Sequence, residues 1–206
     1  MHTTRQSGFT LVELLITLVV ASVLLAVGVP SFTDAMRSSR IGSQYSQVVR
    51  SLFLARSEAV KSNDFVVVCA REAPGSTQCG DENDWRNGWS VFVDVASSPA
   101  AAAKVDAGDT IISLEPALSG DNTIGAFASL SSGADPDAVG HVRYLPRGNT
   151  DWRGGSIVIC DAVRGSTGSR VVNVKLTGDI QAGRPSGTET IPRDAFNSPI
   201  DCGEGS

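Results

Sequence analysis

The sequence has few of the residues on which catalytic and metal sites are usually built. It contains only two histidines, His2 and His141, and charged residues make up only 19% of its 206 residues. Two histidines do not suffice for a histidine-rich metal site. The sequence also lacks a phosphate-binding glycine loop, a dinucleotide-binding fingerprint and a hydrolase nucleophile elbow. We therefore expect neither an enzymatic activity nor a cofactor.

The charges that are present divide the chain into a basic part and an acidic part. Residues 1–62 carry six Lys and Arg against three Asp and Glu, whereas residues 63–206 carry eleven against nineteen. Nonspecific binding to nucleic acids depends on many cationic contacts with phosphates. The acidic part therefore argues against such binding. The length of the chain allows one domain with appendages or two small domains.

The basic part contains a long apolar run. No charged residue lies between Leu14 and Phe32, and the 21 residues from Phe9 to Val29 contain a single charge, on Glu13. About twenty apolar residues in a helix cross the hydrocarbon core of a bilayer. A cleaved secretory signal and a simple signal anchor are alternatives, since Arg5 supplies a basic residue before the run. The length of the run and its carboxylate count against a cleaved signal.

Glu13 is the unusual residue of this run. An ionised side chain inside an apolar membrane helix costs about 3 kcal/mol and usually has a partner. A carboxylate that is solvated at the membrane interface is the alternative explanation. The apolar run alone leaves both explanations open.

The residues around Glu13 resemble a known processing site. Residues 7–15, Ser-Gly-Phe-Thr-Leu-Val-Glu-Leu-Leu, are similar to the site at which type IV prepilins and type II secretion pseudopilins are cleaved. The resemblance implies that a prepilin peptidase cleaves between Gly8 and Phe9, and that Phe9 is then N-methylated. It also implies that Glu13 pairs with the Phe9 amino group of a neighbouring subunit. Such a pair would set the register of assembly, because an unpaired charge in an apolar medium is costly.

A second helical pattern follows Pro30. Pro30 removes one helical hydrogen bond, so we expect a bend there, and it matches the proline that the family has at the end of the transmembrane half. We divide the chain into a leader (1–8), a transmembrane or filament-core helix (9–30), an amphipathic half of the same helix (31–62) and a β-rich globular domain with a C-terminal tail (63–206). The amphipathic half is predicted from apolar residues at three- and four-residue intervals, namely Phe32, Met36, Tyr45, Val48, Leu52, Ala55 and Ala59.

The globular part is rich in turn-forming residues. Residues 63–206 hold eighteen of the 21 glycines and eight of the nine prolines, which predicts short strands joined by loops. We therefore predict an α+β protein in which a long helix precedes a mainly antiparallel β domain. The predicted strands are Phe65–Cys69, Trp89–Val93, Thr110–Leu114, Thr123–Ala128, His141–Leu145, Ser156–Cys160 and Val171–Leu176.

Three segments of the chain resemble the FimT-like and GspH-like minor pilins. This resemblance implies the type IV pilin fold, a long N-terminal helix, transmembrane in its first half, packed on a mainly antiparallel β domain. Trp85 and Trp89 lie four residues apart near a strand, so we predict that they pack in the core. The three segments are the helix end Phe53–Lys61, the run Trp85–Asp94, and Ile157–Asp161 with Gly165 and Arg170–Val172.

The family resemblance also implies a function and a location. It predicts a minor pilin of a type IV pilus, a structural subunit that helps initiate pilus assembly at or near the tip and so serves adhesion and twitching motility. The alternatives are a GspH-type minor pseudopilin of a type II secretion system and, in another class, a DNA-binding minor pilin for natural transformation. The implied partners are the prepilin peptidase and other minor and major pilins or pseudopilins. The implied location is the bacterial inner membrane, with the globular domain in the periplasm, and then the pilus.

The four cysteines all lie in the acidic part and allow three pairings. We favour Cys69–Cys79, which flank a short loop, and Cys160–Cys202, which would pin the C-terminal tail to the sheet. No Cys-x-x-Cys spacing supports a zinc site. An even number of cysteines fits an oxidising compartment. Arginines lie on both sides of the apolar run, so the cysteines, and not the charges, favour an exported C-terminal part.

A DNA-binding motif of some relatives is altered in this chain. Some FimT-type pilins bind DNA through a C-terminal Gly-Arg-x-Arg motif. One corresponding place here is residues 178–181, Gly-Asp-Ile-Gln, in which both arginines are replaced. A second place, Gly183-Arg184, is followed by Pro185, which breaks the pattern. Together with the acidic balance, this departure argues against direct DNA binding.

Three acids bracket a loop that has the charge of a calcium site. They are Asp94, Asp106 and Asp109, and the residues between them include the run Ser-Ser-Pro-Ala-Ala-Ala-Ala. Calcium needs six to eight oxygen ligands, which this run does not supply. We therefore predict solvated loop acids. His141 has no nearby nucleophile arrangement, and we predict a structural role for it.

Overall fold

A computed structural model describes residues 9–95, 102–131, 136–185 and 190–202. The chain divides into two compact units, residues 1–39 and 40–206. The helix α1, Leu11–Ser62, begins in the first unit and ends in the second. The expected leader, residues 1–8, lies outside the described residues. The predicted α+β class is confirmed, since a long N-terminal helix is followed by antiparallel sheets.

α1 ends where helix-forming residues give way to turn-forming ones. Asn63 has a φ of 59°, the left-handed conformation that often follows the last helical residue. The Ser62 hydroxyl donates a hydrogen bond to the carbonyl of Glu58 (2.8 Å). Pro30 lies inside α1, which is helical on both sides of it. The bend expected at Pro30 stays a prediction.

In the second unit, α1 buries one face against the sheets. Phe32 and Met36 of the first unit are exposed, and Tyr45 is half-buried. The apolar periodicity predicted from residue 32 therefore becomes a buried face only from residue 41 onwards. The buried residues recur at intervals of three and four, as expected for one side of a helix: Ile41, Gln44, Val48, Ser51, Leu52, Ala55 and Ala59.

Nine described strands follow α1, and they include all seven predicted ones. The predicted boundaries are within two residues of the observed ones, except that the strand predicted from Val171 begins at Gly165. The strands are β1 Phe65–Ala70, β2 Trp89–Asp94, β3 Thr110–Leu114, β4 Thr123–Ser129, β5 Asp137–Ala138, β6 His141–Tyr144, β7 Gly154–Asp161, β8 Gly165–Lys175 and β9 Ile180–Ala182. A short 3₁₀ turn, Asp84–Asn87, precedes β2.

The strands form two antiparallel sheets that share one core. The first sheet has the order β3-β2-β1-β6 and the second has the order β5-β4-β7-β8-β9. Side chains alternate between the two faces of a strand. In β1, Val66 and Val68 therefore belong to the core that α1 covers, whereas Val67 and Cys69 belong to a separate cluster. We call the sheet faces that point away from this common core the outer faces.

The tryptophans confirm the prediction that they pack in the core. Trp85 and Trp89 are each 1% exposed. The Trp89 indole donates to the hydroxyl of Ser51 on α1 (2.9 Å), and the Trp85 indole donates to the carbonyl of Val139 (2.8 Å). Each buried N–H group therefore has a partner, as buried polar groups require.

Two disulfides fasten loop segments to the outer faces of the sheets. They join Cys69 to Cys79 and Cys160 to Cys202, the pairing favoured from the sequence. Cys69 lies on β1 of the first sheet and Cys160 on β7 of the second. The two bonds close segments of 10 and 42 residues, respectively.

The C-terminal tail covers part of the outer face of the second sheet. Ile200 is buried against Val158 of β7 and Val171 of β8. The backbone N–H of Ala195 donates to the hydroxyl of Ser156 (2.8 Å). The tail therefore shields apolar strand residues from water.

Candidate assembly site

The first turn of α1 brings Thr10 and Glu13 together. The Thr10 hydroxyl accepts a hydrogen bond from the N–H of Glu13 (3.2 Å), and the Thr10 carbonyl accepts one from the N–H of Leu14 (3.1 Å). Thr10 is therefore the N-cap residue and Glu13 is the third helical residue, as in a capping box. A negative charge at a helix N-terminus also interacts favourably with the helix dipole. This role was missed from the sequence, although Thr-x-x-Glu before an apolar run is its signal.

The expected processing site lies at the border of the described residues. Gly8 lies outside them, and Phe9 is 78% exposed. Phe9 lies one residue before the N-cap Thr10 and therefore outside α1. Cleavage between Gly8 and Phe9 would create a positive amino group four residues before Glu13 in the chain.

The large apolar side chains that follow Glu13 are exposed throughout the first unit. From Leu14 to Met36, each of them is more than half exposed. By length and composition, α1 is able to cross a membrane, and none of its most apolar window is buried within the chain. Exposure of so much apolar surface to water is unfavourable. This segment therefore needs apolar surroundings that the described part of the chain does not provide.

A buried polar contact joins α1 to the second sheet. The side chain amide of Gln44 donates to the carbonyl of Ser119 (3.0 Å) and accepts from the side chain of Asn122 (2.8 Å). The Asn122 side chain also accepts the backbone N–H of Ala162 in the β7–β8 turn (3.3 Å). Gln44 and Asn122 are both buried. Because buried amides require these partners, the contact fixes this part of α1 against the sheet.

The turn between β8 and β9 is fastened to α1 through Arg56. The Arg56 guanidinium donates to the carboxylate of Asp179 (3.0 Å) and to the carbonyl of Thr177 (3.0 Å). Gly178 has a φ of 79°, and a Cβ there would lie 1.9 Å from the carbonyl oxygen of Gly148. The Thr177 hydroxyl and Arg56 hold the pKa of Asp179 below its ordinary value. Asp179, which lies in the first of the two places considered above for a DNA-binding motif, is thus an ion-paired carboxylate.

Asp94 is not a solvated loop acid, and this corrects the sequence prediction. Its side chain is 8% exposed at the end of β2, and its carboxylate lies 3.7 Å from the guanidinium of Arg143 on β6. The Arg143 side chain is 1% exposed. A charge that is buried this deeply needs an opposite charge beside it, and Arg143 supplies one.

The two other acids remain in the loop, where they have structural partners. Asp106 lies 2.9 Å from the ammonium group of Lys104. The Asp109 carboxylate accepts the backbone N–H groups of Val95 (3.1 Å) and Asp106 (2.7 Å). Among the residues that the structure describes, no group of three or more His, Cys, Asp or Glu side chains could hold a metal ion.

His141 is a structural residue of β6. Burial and the nearby charge of Arg143 lower its pKa to about 4, so its ring is neutral near pH 7. Its Nε2 atom lies 3.8 Å from the carboxylate of Asp151, whose pKa is raised by burial. The His141 carbonyl accepts the indole N–H of Trp152 (3.1 Å). These contacts stabilise the edge of the first sheet.

Two protein-family models match this chain, one over most of the second unit and one over the N-terminal apolar segment. Residues 44–178 match the family described as "Type II transport protein GspH", and residues 3–29 match the "Prokaryotic N-terminal methylation motif". No curated protein sequence matches the chain significantly.

Two crystal forms of the type IV minor pilin FimU of Pseudomonas aeruginosa are similar in structure. One has 20% sequence identity and a TM-score of 0.48, and the match covers 83% of this chain and 98% of FimU. The other has 18% identity and a TM-score of 0.42, with 82% and 98% covered. Sequence identities and TM-scores this low do not establish a family. The family assignment depends on the sequence match to residues 44–178, which covers more than half of the chain.

Proposed function

Because the chain belongs to the GspH family of type II transport proteins, we propose that it is a structural, non-catalytic minor pilin that helps initiate assembly of a type IV pilus at or near the tip. In that position it would serve adhesion and twitching motility. The N-terminal methylation motif at residues 3–29 supports the proposal, since it belongs to subunits that are processed before assembly.

The observation that carries the proposal is an unburied apolar helix joined to a β domain with its own core. Residues 9–36 are favourably placed either in a bilayer or among the helices of other subunits. The second unit contains the shared core of both sheets and both disulfides. The helix could therefore exchange lipid for neighbouring helices while the β domain stays folded.

The proposal also includes the processing and the location of the chain. The prepilin peptidase would cleave between Gly8 and Phe9 in the inner membrane, and Phe9 would then be methylated. The two disulfides support placing the β domain in the periplasm, because disulfides persist in oxidising compartments. Other pilins would contact the helix in the filament and the β domain at its surface.

The second candidate is a minor pseudopilin of a type II secretion system, which the name of the family, type II transport protein GspH, favours. Loss of this chain from its host should distinguish the two. We expect fewer surface pili and reduced twitching, with normal secretion of folded exoproteins, and both defects should be restored by the unaltered chain. Normal pili with impaired exoprotein secretion would assign the chain to the secretion system.

A DNA receptor is a candidate of another class. The acidic balance of residues 63–206 and the carboxylate of Asp179 argue against it. We expect the full chain in lipid nanodiscs to leave duplex DNA unshifted in a gel at physiological salt. Arg184→Ala should then change nothing, and neither should Arg147→Ala, a control at another exposed arginine. Salt-sensitive binding that Arg184→Ala abolishes and Arg147→Ala preserves would establish the receptor instead.

A further inference from the structure

The described sheet edges differ in how well they are protected. β5 has two residues and β9 has three, so both are short. The free side of β6 is occupied by the segment after it, since Tyr144 pairs with Thr150 and the N–H of Arg143 donates to Asp151. β3 has five residues, Thr-Ile-Ile-Ser-Leu, with neither a charge nor a proline. Charges, prolines, bulges and short lengths are the usual protections of an edge strand, and of these β3 has only a bulge.

Within the described ranges, no strand pairs with one side of the β3 backbone. Its ladder partner is β2, and among the described residues no hydrogen bond joins the backbone of Thr110–Leu114 to any other segment. The N–H of Glu115 donates towards β2, to the carbonyl of Trp89 (2.8 Å). Successive residues of a strand direct their N–H groups to opposite sides. The N–H and C=O groups of Leu114 therefore point away from β2, where an added strand would lie.

A bulge places two apolar side chains of β3 on the same face. Ile111 pairs with Phe92 and Leu114 pairs with Ser90, and the register shifts between these pairs. Residues three apart in a regular strand would point to opposite faces, so the bulge is what brings Ile111 and Leu114 together on the outer face. They are 37% and 45% exposed. The bulge also interrupts the regular edge, which suits a short partner strand better than a long one.

Acidic residues flank this edge at both ends. Asp109 immediately precedes β3 and Glu115 immediately follows it, and neither forms an ion pair with any described Lys or Arg. In an antiparallel pair of two β3 strands, Asp109 of one copy would face Glu115 of the other. In a parallel pair, each acid would face its own counterpart. Like charges that face each other across strands are destabilising, so a second copy is a poor partner.

We propose that the β3 edge, residues Thr110–Leu114, binds a short extended segment of another protein by strand addition, and that this segment has an uncharged interior and basic residues at its ends. Its backbone would pair with the open side of β3. Its side chains on one face would contact Ile111 and Leu114, and its end cations would lie beside Asp109 and Glu115. The inference goes beyond the proposed role in the filament, because it applies equally to a subunit of a type IV pilus and to one of a type II secretion system.

The test uses the full chain in lipid nanodiscs and two fluorescent peptides. One is Lys-Thr-Val-Thr-Val-Thr-Val-Lys, and the other has the same interior with Glu at both ends. We expect fluorescence polarisation to give about tenfold tighter binding of the Lys peptide, because two attractive contacts replace two repulsive ones. Hydrogen–deuterium exchange should slow at residues 110–114 when this peptide binds.

A matched pair of variants locates the site. Leu114→Lys should weaken binding of the Lys peptide about tenfold, since it replaces an apolar contact with a like charge. Val163→Lys places the same charge at an exposed apolar residue of the β7–β8 turn, and it should leave the affinity within about twofold.

Equal affinities for the two peptides would overturn the proposal. So would protection from exchange outside residues 110–114, or dimers crosslinked through β3 in the absence of peptide. If Leu114→Lys fails to fold, the exchange measurement on the unaltered chain with the two peptides decides the question.

Discussion

A chain that carries Glu13→Ala is expected to be exported, cleaved and methylated normally, while its recovery in sheared filaments falls by about tenfold or more. The reason is the proposed pair between Glu13 and the Phe9 amino group of a neighbouring subunit. Removing the carboxylate would leave that amino group unpaired in apolar surroundings. The measurements are mass spectrometry of the N-terminus, for cleavage and methylation, and the ratio of the chain in filaments to the chain in membranes.

The structure supplies the control for this experiment. Glu13 is also an acidic residue in the first turn of α1, where it interacts favourably with the helix dipole, so its loss could act through the helix end alone. Thr10→Val removes the capping hydroxyl and keeps the carboxylate, at a cost to the helix of about 1 kcal/mol. We expect this variant to enter filaments nearly as well as the unaltered chain. An equal defect in both variants would show that assembly requires a stable helix end, and not the intersubunit pair.

The second large effect concerns the disulfide between Cys160 and Cys202. Replacing both residues with serine should lower the free energy of unfolding of the second unit by about 4 kcal/mol, because the bond closes a 42-residue segment. The three tryptophans are all buried in this unit, so their fluorescence during denaturant unfolding reports the change. Binding of a hydrophobic dye should also increase, since the released tail uncovers Val158 and Val171.

The other disulfide is the matched comparison. Serine at Cys69 and Cys79 opens a segment of only 10 residues, for which the loss should be about 3 kcal/mol. It also leaves the tail in place, so dye binding should stay near that of the unaltered chain. A larger loss for the Cys69–Cys79 variant than for the Cys160–Cys202 variant would contradict the account based on segment length.

Local patterns in the sequence were sufficient for most of the fold. The apolar run and the three- and four-residue spacing that follows it predicted the long helix. The β-branched runs between glycines and prolines predicted seven strands, because each is long enough to show its preference. β5 and β9 have only two and three residues and include no β-branched run. Their pairing with β4 and β8, and not their own propensity, makes them strands.

Contacts between distant residues account for what the sequence did not predict. Asp94 is buried because Arg143 lies beside it in the folded sheet, and no local pattern connects the two. The bulge that aligns Ile111 with Leu114 likewise depends on the register with β2. At the candidate site, the motif predicted an assembly role for Glu13, which stays a prediction, while the hydrogen bond from its N–H to Thr10 became evident only from the structure.

The fastening of the tail also has a consequence for the order of events during biogenesis. Cys160 acquires its partner only after 42 further residues have been synthesised and, if the chain is exported as proposed, translocated. Throughout that interval Val158 and Val171 have no cover from Ile200, although the strands that carry them are already available to pair. A newly exported chain would therefore pass through a period in which apolar strand surface is open to other chains. The speed of translocation and the supply of oxidant, and not only the final stability, would then limit how much intact subunit accumulates.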